Sequence, residues 1–187
     1  MLSIHAILTH SRVNGPGDCC VVWLQGCIHD CPGCCNTAAC SRTRGEIFLA
    51  AEHLADDVIA ARPDCLSLSG GEPFLQAREL VSVARRVHAA GIGVLAWSGY
   101  EYEALRDSRN PWQRELLEEL DILVCGPYLR DVPQREIWAG SGNQRTLFFG
   151  TRFADWEPRI AGKGHIECTI RGDGSGILTG FGSFSNA

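Results

Sequence analysis

The stretch that most constrains this chain is Gly26-Cys27-Ile28-His29-Asp30-Cys31-Pro32-Gly33-Cys34-Cys35-Asn36, which spaces three thiols as C-x3-C-x2-C. It follows Val21-Val22-Trp23-Leu24, an apolar run that reads as a buried strand. A compact loop at a strand's end can aim three thiolates at one centre. An iron–sulfur cube usually takes four thiolates, so three would leave one iron open to a substrate or cofactor. Two plainer readings stand beside it. A zinc site needs four ligands, for which Cys40 is a candidate although a second C-x2-C pair is missing. A redox dithiol formed by Cys31-Pro-Gly-Cys34 would leave Cys27 without a role. The spacing favours the cluster; all three readings stay open on this stretch alone.

The chain has 187 residues, enough for one domain with a sizeable core and a short appendage. The expected division is a core over residues 1–150 and a C-terminal extension over 151–187. Its net charge of −5 and the lack of a basic block speak against a nucleic-acid partner. No apolar run approaches the length of a membrane span, so no membrane association is expected. Met1-Leu2-Ser3-Ile4-His5 lacks the basic-then-apolar layout of a signal peptide. The expected compartment is therefore the cytoplasm, where ten cysteines serve as metal ligands, reactive groups or buried thiols more readily than as disulfides.

Along the chain, Ile4 to Arg12 reads as an opening strand and Val13 to Asp18 as a turn. Cys20 to Leu24 is a strand, and Thr37 to Gly45 is polar and irregular. Glu46 to Ala61 carries apolar residues at helical spacing. Cys65 to Ser69 is a strand, Phe74 to Ala90 a helix and Ile92 to Trp97 a strand. Helical pattern returns from Tyr100 to Arg106 and, after Asn110-Pro111, up to Leu120. Asp121 to Cys125 and Arg145 to Phe149 are further strands, separated by an irregular loop. The end reads as a hairpin: Ile166 to Ile170, a glycine-rich turn, then Ile177 to Thr179. Alternating strands and helices predict an α/β fold with a parallel sheet. In such folds the site lies at the carboxyl ends of the strands. The cysteine loop, Gly70-Gly71-Glu72-Pro73, Ser98-Gly99-Tyr100 and Cys125-Gly126-Pro127 all fall there.

Gly70-Gly71-Glu72-Pro73 is the second informative motif. Two glycines allow close backbone approach to a ligand, and the carboxylate after them can hold an ammonium group. The plainer alternative is a βα turn in which Glu72 steadies a helix start. Together with the cysteine loop this motif resembles the radical S-adenosylmethionine (SAM) superfamily. More narrowly, the chain resembles the anaerobic ribonucleotide reductase activating, or glycyl radical enzyme activating, family. The matching landmarks run in order from Val13-Asn14-Gly15-Pro16-Gly17 through the cysteine loop and Ser67-Leu68-Ser69-Gly70-Gly71-x-Pro73 to Trp97-x-Gly99-Tyr100 and Gly140-Ser141-x-Asn143-Gln144. They cover roughly residues 5 to 150.

The resemblance implies a partial (β/α)6 TIM-like barrel with a parallel sheet, here followed by the C-terminal β-hairpin packing on the core. It implies that Cys27, Cys31 and Cys34 hold a [4Fe-4S] cluster whose open iron chelates SAM. It places Gly70, Gly71, Glu72 and Pro73, with Ser69 before them, near the SAM ammonium. Gly33, Cys34 and Cys35 would lie near the adenine, and Ser98 near the methionine or ribose. The implied activity is that of a radical SAM oxidoreductase: one electron cleaves SAM to methionine and a 5′-deoxyadenosyl radical, which abstracts a hydrogen atom. In the activating family the hydrogen comes from a glycine of a partner enzyme, and a reduced flavodoxin or ferredoxin-type protein supplies the electron. Competing expectations are a stand-alone radical SAM enzyme acting on a small molecule or peptide, and a non-catalytic zinc or dithiol module. Three positions depart from the family pattern: Cys19 for an arginine, Cys35 for an aromatic and Glu72 for a frequent aspartate.

Of the other cysteines, Cys65, Cys125 and Cys168 are expected as small buried hydrophobes in strands. Cys19 and Cys35 are candidates for a substrate-facing thiol, and Cys40 flanks the loop. His29 is expected to shape the loop without binding iron. Trp97 and Tyr100 are candidates to line the SAM pocket. Arg130, Arg135 and Arg145 are read as solvated surface.

Overall fold

A computed structural model describes residues 1–42, 47–170 and 172–182. Its centre is a seven-stranded sheet. In chain order the strands are β1 (Leu2–Ser11), β2 (Cys19–Leu24), β3 (Ile47–Leu49), β4 (Cys65–Gly70), β5 (Gly93–Ser98), β6 (Ile122–Cys125) and β7 (Arg145–Phe148). Across the sheet they lie in the order β3-β1-β2-β4-β5-β6-β7. The inner four, β2, β4, β5 and β6, run parallel. The flanking strands β1, β3 and β7 pair antiparallel. The fold is thus mixed α/β with a mostly parallel central sheet.

The helices are α1 (Thr37–Cys40), α2 (Ala51–Ala61), α3 (Ala77–Ala89), α4 (Tyr102–Arg106) and α5 (Pro111–Glu118). Alternate residues of each inner strand bury on opposite faces. Val22, Leu68, Ala96 and Leu123 pack with α2, α3, α4 and α5 in one core cluster. Val21, Cys65, Leu95 and Val124 form a second cluster with Trp138, Ile160 and other residues that follow β6. Strands covered on both faces read as continuous apolar runs, which is why the inner four were legible as parallel strands. The second face is roofed by loops and by an antiparallel hairpin of β8 (Ile166–Ile170) and β9 (Gly176–Gly180).

Four expectations need correction. The helix expected from Glu46 begins only at Ala51; Ile47–Leu49 instead pair with Leu2–Ile4 as β3. Ile47 and Leu49 are half-buried while Phe48 is exposed, a two-residue period that a helical reading of the same apolar residues overlooked. Glu46 itself lies outside the described residues, as do Thr43 to Gly45 of the stretch expected to be irregular, in which Thr37–Cys40 form one turn of helix. Cys168 is exposed, because it sits on the outward side of the hairpin. Cys19 is fully buried at the start of β2, its Sγ 3.4 Å from the Pro16 carbonyl, in the core and not facing a substrate.

Candidate functional site

The four inner strands end side by side, and the loops that leave them build one cavity of about 510 Å³. Its lining includes Cys27, Cys31, Cys34, Cys35 and Cys40 from the cysteine loop and α1. Ser69, Gly70 and Gly71 contribute from the end of β4, Trp97, Ser98 and Gly99 from the end of β5, and Gly126 from the end of β6. Among the sequence-derived candidates, Gly33, Glu72, Pro73 and Tyr100 are not part of this lining; Glu72 and Pro73 are buried behind it, and Gly33 is exposed.

The reason lies in the glycine pair. Gly71 donates its N–H to Leu24 O at 2.8 Å, and Glu72 donates its N–H to Gly26 O at 2.8 Å. A Cβ at residue 71 would stand 2.1 Å from Gly26 O, and Gly70 has φ +101. The glycines therefore seat the cysteine loop against the end of β4 as well as opening the cavity wall. This contact turns the Glu72 side chain inward, where it is fully buried. Its carboxylate accepts from Phe74 N–H (3.0 Å), from Gly99 N–H (2.9 Å) and from the Ser98 hydroxyl (3.1 Å to each oxygen). His29 donates from Nε2 to Glu72 Oε2 at 2.7 Å. One carboxylate thus ties the cysteine loop to the ends of β4 and β5. A buried carboxylate is tolerable only when so satisfied.

His29 also meets Tyr100 edge-on at 4.7 Å and covers Gly99, where a Cβ would stand 2.4 Å from the ring. It shapes the loop, as expected from sequence. Gly33 has φ +75 and lies under the Arg130 guanidinium, 2.0 Å from where a Cβ would stand. The Gly140-Ser141-x-Asn143-Gln144 motif organises the loop after β6. Gln144 accepts from Gly140 N–H (2.8 Å) and Ser141 N–H (3.2 Å) and donates to Gly126 O (2.9 Å). Asn143 donates to Pro127 O at 2.8 Å. Arg145 is paired with Glu103 at 2.8 Å.

No three of the described His, Cys, Asp or Glu side chains converge on a single-ion position. The thiols instead face one shared cavity, an arrangement that suits a body of several irons, each bound by a different thiolate. Asn36 donates its N–H to Cys34 Sγ at 3.4 Å, the kind of contact that tunes cluster sulfurs. Burial raises the Cys27 thiol above its ordinary value of 9.0; the backbone N–H of His29 opposes this and Glu72 adds to it. A thiol held so would give up its proton on binding a metal. Cys40 lies 3.9 Å from Cys34 Sγ, and burial together with Cys34 and Cys27 pushes it up to about 12. The residues present fit a cluster held by Cys27, Cys31 and Cys34.

Several lining residues carried no signal as site residues in the sequence: His5, Trp23, Tyr128 and the hairpin residues Ile177 to Phe181. They reach the cavity through tertiary packing. Asn14, Asn36, Gly126, Gly140 and Gln144 also line it, and these lie inside quoted motifs.

Comparison with known proteins gives a consistent picture. Residues 13–147 match the model of a family described as "4Fe-4S single cluster domain". The chain is 32% identical over 143 residues to an anaerobic ribonucleoside-triphosphate reductase-activating protein of Salmonella typhimurium, covering 71% of this chain and 89% of that one. The protein of the same name from Escherichia coli K12 is 32% identical over 154 residues, covering 76% of this chain and 96% of its own length. That of bacteriophage T4 is 33% identical over 141 residues, 71% of this chain and 85% of its own.

Proposed function

The chain belongs to the family of anaerobic ribonucleoside-triphosphate reductase-activating proteins, and from that premise we propose that it is a radical SAM enzyme that activates a glycyl radical partner, an anaerobic ribonucleotide reductase. The observation that carries this reading is the shared cavity of Cys27, Cys31 and Cys34 against the Ser69-Gly70-Gly71 wall. Those thiols would hold a [4Fe-4S] cluster, with SAM bound beside it. When bound, the cluster supplies the electron that cleaves SAM reductively to the 5′-deoxyadenosyl radical for hydrogen-atom abstraction.

The protein's own share is binding, orientation and exclusion of water. Gly70 and Gly71 present backbone to the SAM amino group, and Ser69 flanks them. Glu72 and Pro73 act from behind, Glu72 by holding His29, Ser98 and the Gly99 N–H in place. Cys34 and Cys35 flank the adenine, with Gly33 shaping the turn beneath Arg130. Ser98 spends its proton on Glu72 and accepts from Tyr100 N–H at 3.1 Å, leaving one oxygen lone pair for the methionine or ribose.

The same reading takes the sheet as part of a (β/α)6 barrel. In support, the helices pack on one face and the motif loops gather at the carboxyl ends. Residues 1–150 are then the radical SAM core and 151–187 its C-terminal extension. The partner is a protein, and the electron comes from a reduced flavodoxin or ferredoxin-type donor. A cytoplasmic setting goes with ten free thiols; no helix among the described residues is long and apolar enough to cross a membrane.

The test is anaerobic reconstitution with iron and sulfide, followed by reduction in the presence of SAM. 5′-Deoxyadenosine is expected, with a glycyl radical signal on the reductase after co-incubation. Cys27→Ala is expected to bring both to background. Absence of 5′-deoxyadenosine from the wild type, or its persistence in Cys27→Ala, would sink the reading.

A further inference from the structure

We propose that the free edge of β9 is a strand-addition site: an extended peptide segment of the protein partner pairs with it and is thereby laid into the cavity beside the cluster thiols. This rests on the proposed function for the identity of the partner, and on the hairpin's geometry for the mode of binding.

The first observation is which residues touch the cavity. Gly176, Ile177, Leu178, Thr179, Gly180 and Phe181 all line it, and no residue of β8 does. Successive side chains of a strand point to opposite faces. A cavity touched by six consecutive residues therefore runs along the strand's edge, where the backbone is. β9 has β8 on one side. Among the described residues no strand pairs with its other side, and that side is the one the cavity follows.

The second observation is the phase of the ladder. Phe181 donates its N–H to His165 O at 3.1 Å, in line with the register Glu167–Thr179 and Thr169–Ile177. Thr169 O also lies 3.6 Å from where a Cβ of residue 176 would stand, so it is turned toward β9. Bonded and non-bonded pairs alternate in an antiparallel ladder. Thr179 and Ile177 therefore spend their N–H and C=O groups on β8, while Leu178 turns its own toward the cavity. Exposed edge groups of this kind are the template that extended peptides use in strand addition.

Third, the hairpin is anchored as a wall. Asn14 Nδ2 donates to Thr179 Oγ1 at 2.9 Å, and Glu167 accepts from the Ser11 hydroxyl at 2.7 Å and from Arg12 N–H at 3.1 Å. Phe181 stacks on Trp97 at 5.4 Å. The edge is thus held at a fixed place relative to the thiols.

Fourth, recognition through main-chain groups suits a substrate residue that has no side chain to recognise. The cavity is of the size that takes one ligand of moderate size, so a narrow backbone segment is what can enter alongside SAM. β8 and β9 lie beyond the matched segment 13–147, so this edge is a feature of the present chain's own extension.

The test measures binding of a dye-labelled nine-residue peptide, alternating valine and threonine about a central glycine, to the reconstituted protein by fluorescence anisotropy. Saturable binding is expected. N-methylation of every second peptide residue is expected to weaken it at least tenfold in one of the two phases and little in the other. Leu178→Pro, which deletes an edge N–H without removing a bond to β8, is expected to weaken it similarly, with the thermal midpoint and iron content of the variant reporting that the fold is intact. Lack of saturable binding by the wild type overturns the proposal, as does equal loss in both N-methylation phases or none in either. Unchanged binding by a folded Leu178→Pro protein also overturns it. If Leu178→Pro does not fold, the peptide series alone decides. Binding needs neither SAM nor a reductant, so a wild type that binds the peptide yet makes no 5′-deoxyadenosine would retire the proposed function and not the edge.

Discussion

At the scale of single residues, Glu72 is the most heavily committed group in the cavity wall. Replacing it by glutamine keeps its volume but points an NH2 group at donors that need an acceptor. Glu72→Gln is expected to lower the free energy of unfolding by about 2 kcal/mol, the cost of leaving buried donors unpaired. It should also reduce iron retained after reconstitution, because the His29 tether of the cysteine loop is lost. Urea denaturation and an iron assay on the same preparation check both. The motif around Glu72 was legible in the sequence, but the direction of its side chain was not. His29 and Ser98 are remote in the chain from Glu72, and only the seating of Gly71 against Gly26 brings them together. Cys27, Cys31 and Cys34 could be nominated because a short loop cannot place its thiols far apart. Cys19 could not be placed, since its neighbours Pro16 and Cys65 meet it only in the folded sheet.

At the scale of elements, the inner strands were readable because both of their faces are buried. The hairpin was readable because its turn residues punctuate it. β3 was hidden, as three residues joined to a helix share one apolar pattern with it. The antiparallel sense of β7 was also hidden, because the loop from Gly126 to Gln144 contains no helix to mark a crossover and the chain simply turns back beside β6. At the opposite end of the sheet from the cavity, α3 is pinned to β6. His88 donates to Asp121 Oδ2 at 2.9 Å, and Asp121 also accepts from Val94 N–H at 2.8 Å. The bond to Asp121 holds His88 above its ordinary value of 6.5, against the effect of burial. Burial alone would raise Asp121, but the bonds from His88 and Val94 outweigh it and leave the carboxyl below 3.8. A raised histidine stabilises fully below its unfolded value and loses that contribution as pH rises through its folded value. A lowered aspartate stabilises above its unfolded value and fails as pH falls through its folded one. The pair contributes in full between about pH 4 and 6.5. Unfolding free energy is expected to decline by about 1 kcal/mol between pH 6 and 8, and His88→Gln should flatten that slope in urea titrations across the range.

At the scale of the whole molecule, the sheet separates two kinds of work. One face is covered by helices and holds the larger apolar cluster. The other meets loops and the hairpin, and the motif residues of the cavity are hung from its rim. The cover of this second face was the least legible part of the chain. It is built from single aromatic anchors, each far in sequence from what it covers: Trp138 receives the Trp97 indole N–H on its carbonyl at 2.8 Å, and Trp156 packs on Trp138 at 5.5 Å. No period in the sequence announces such contacts.

The placement of the tryptophans has an optical consequence. Trp23 and Trp97 line the cavity, whereas Trp112, Trp138 and Trp156 do not. An iron–sulfur chromophore assembled among Cys27, Cys31 and Cys34 would drain the excited states of the nearest indoles first. Indole emission is therefore expected to dim in step with iron uptake, and the dimming per iron should shrink in a Trp23→Phe, Trp97→Phe protein. The chain thus carries its own fluorescent gauge of cluster assembly.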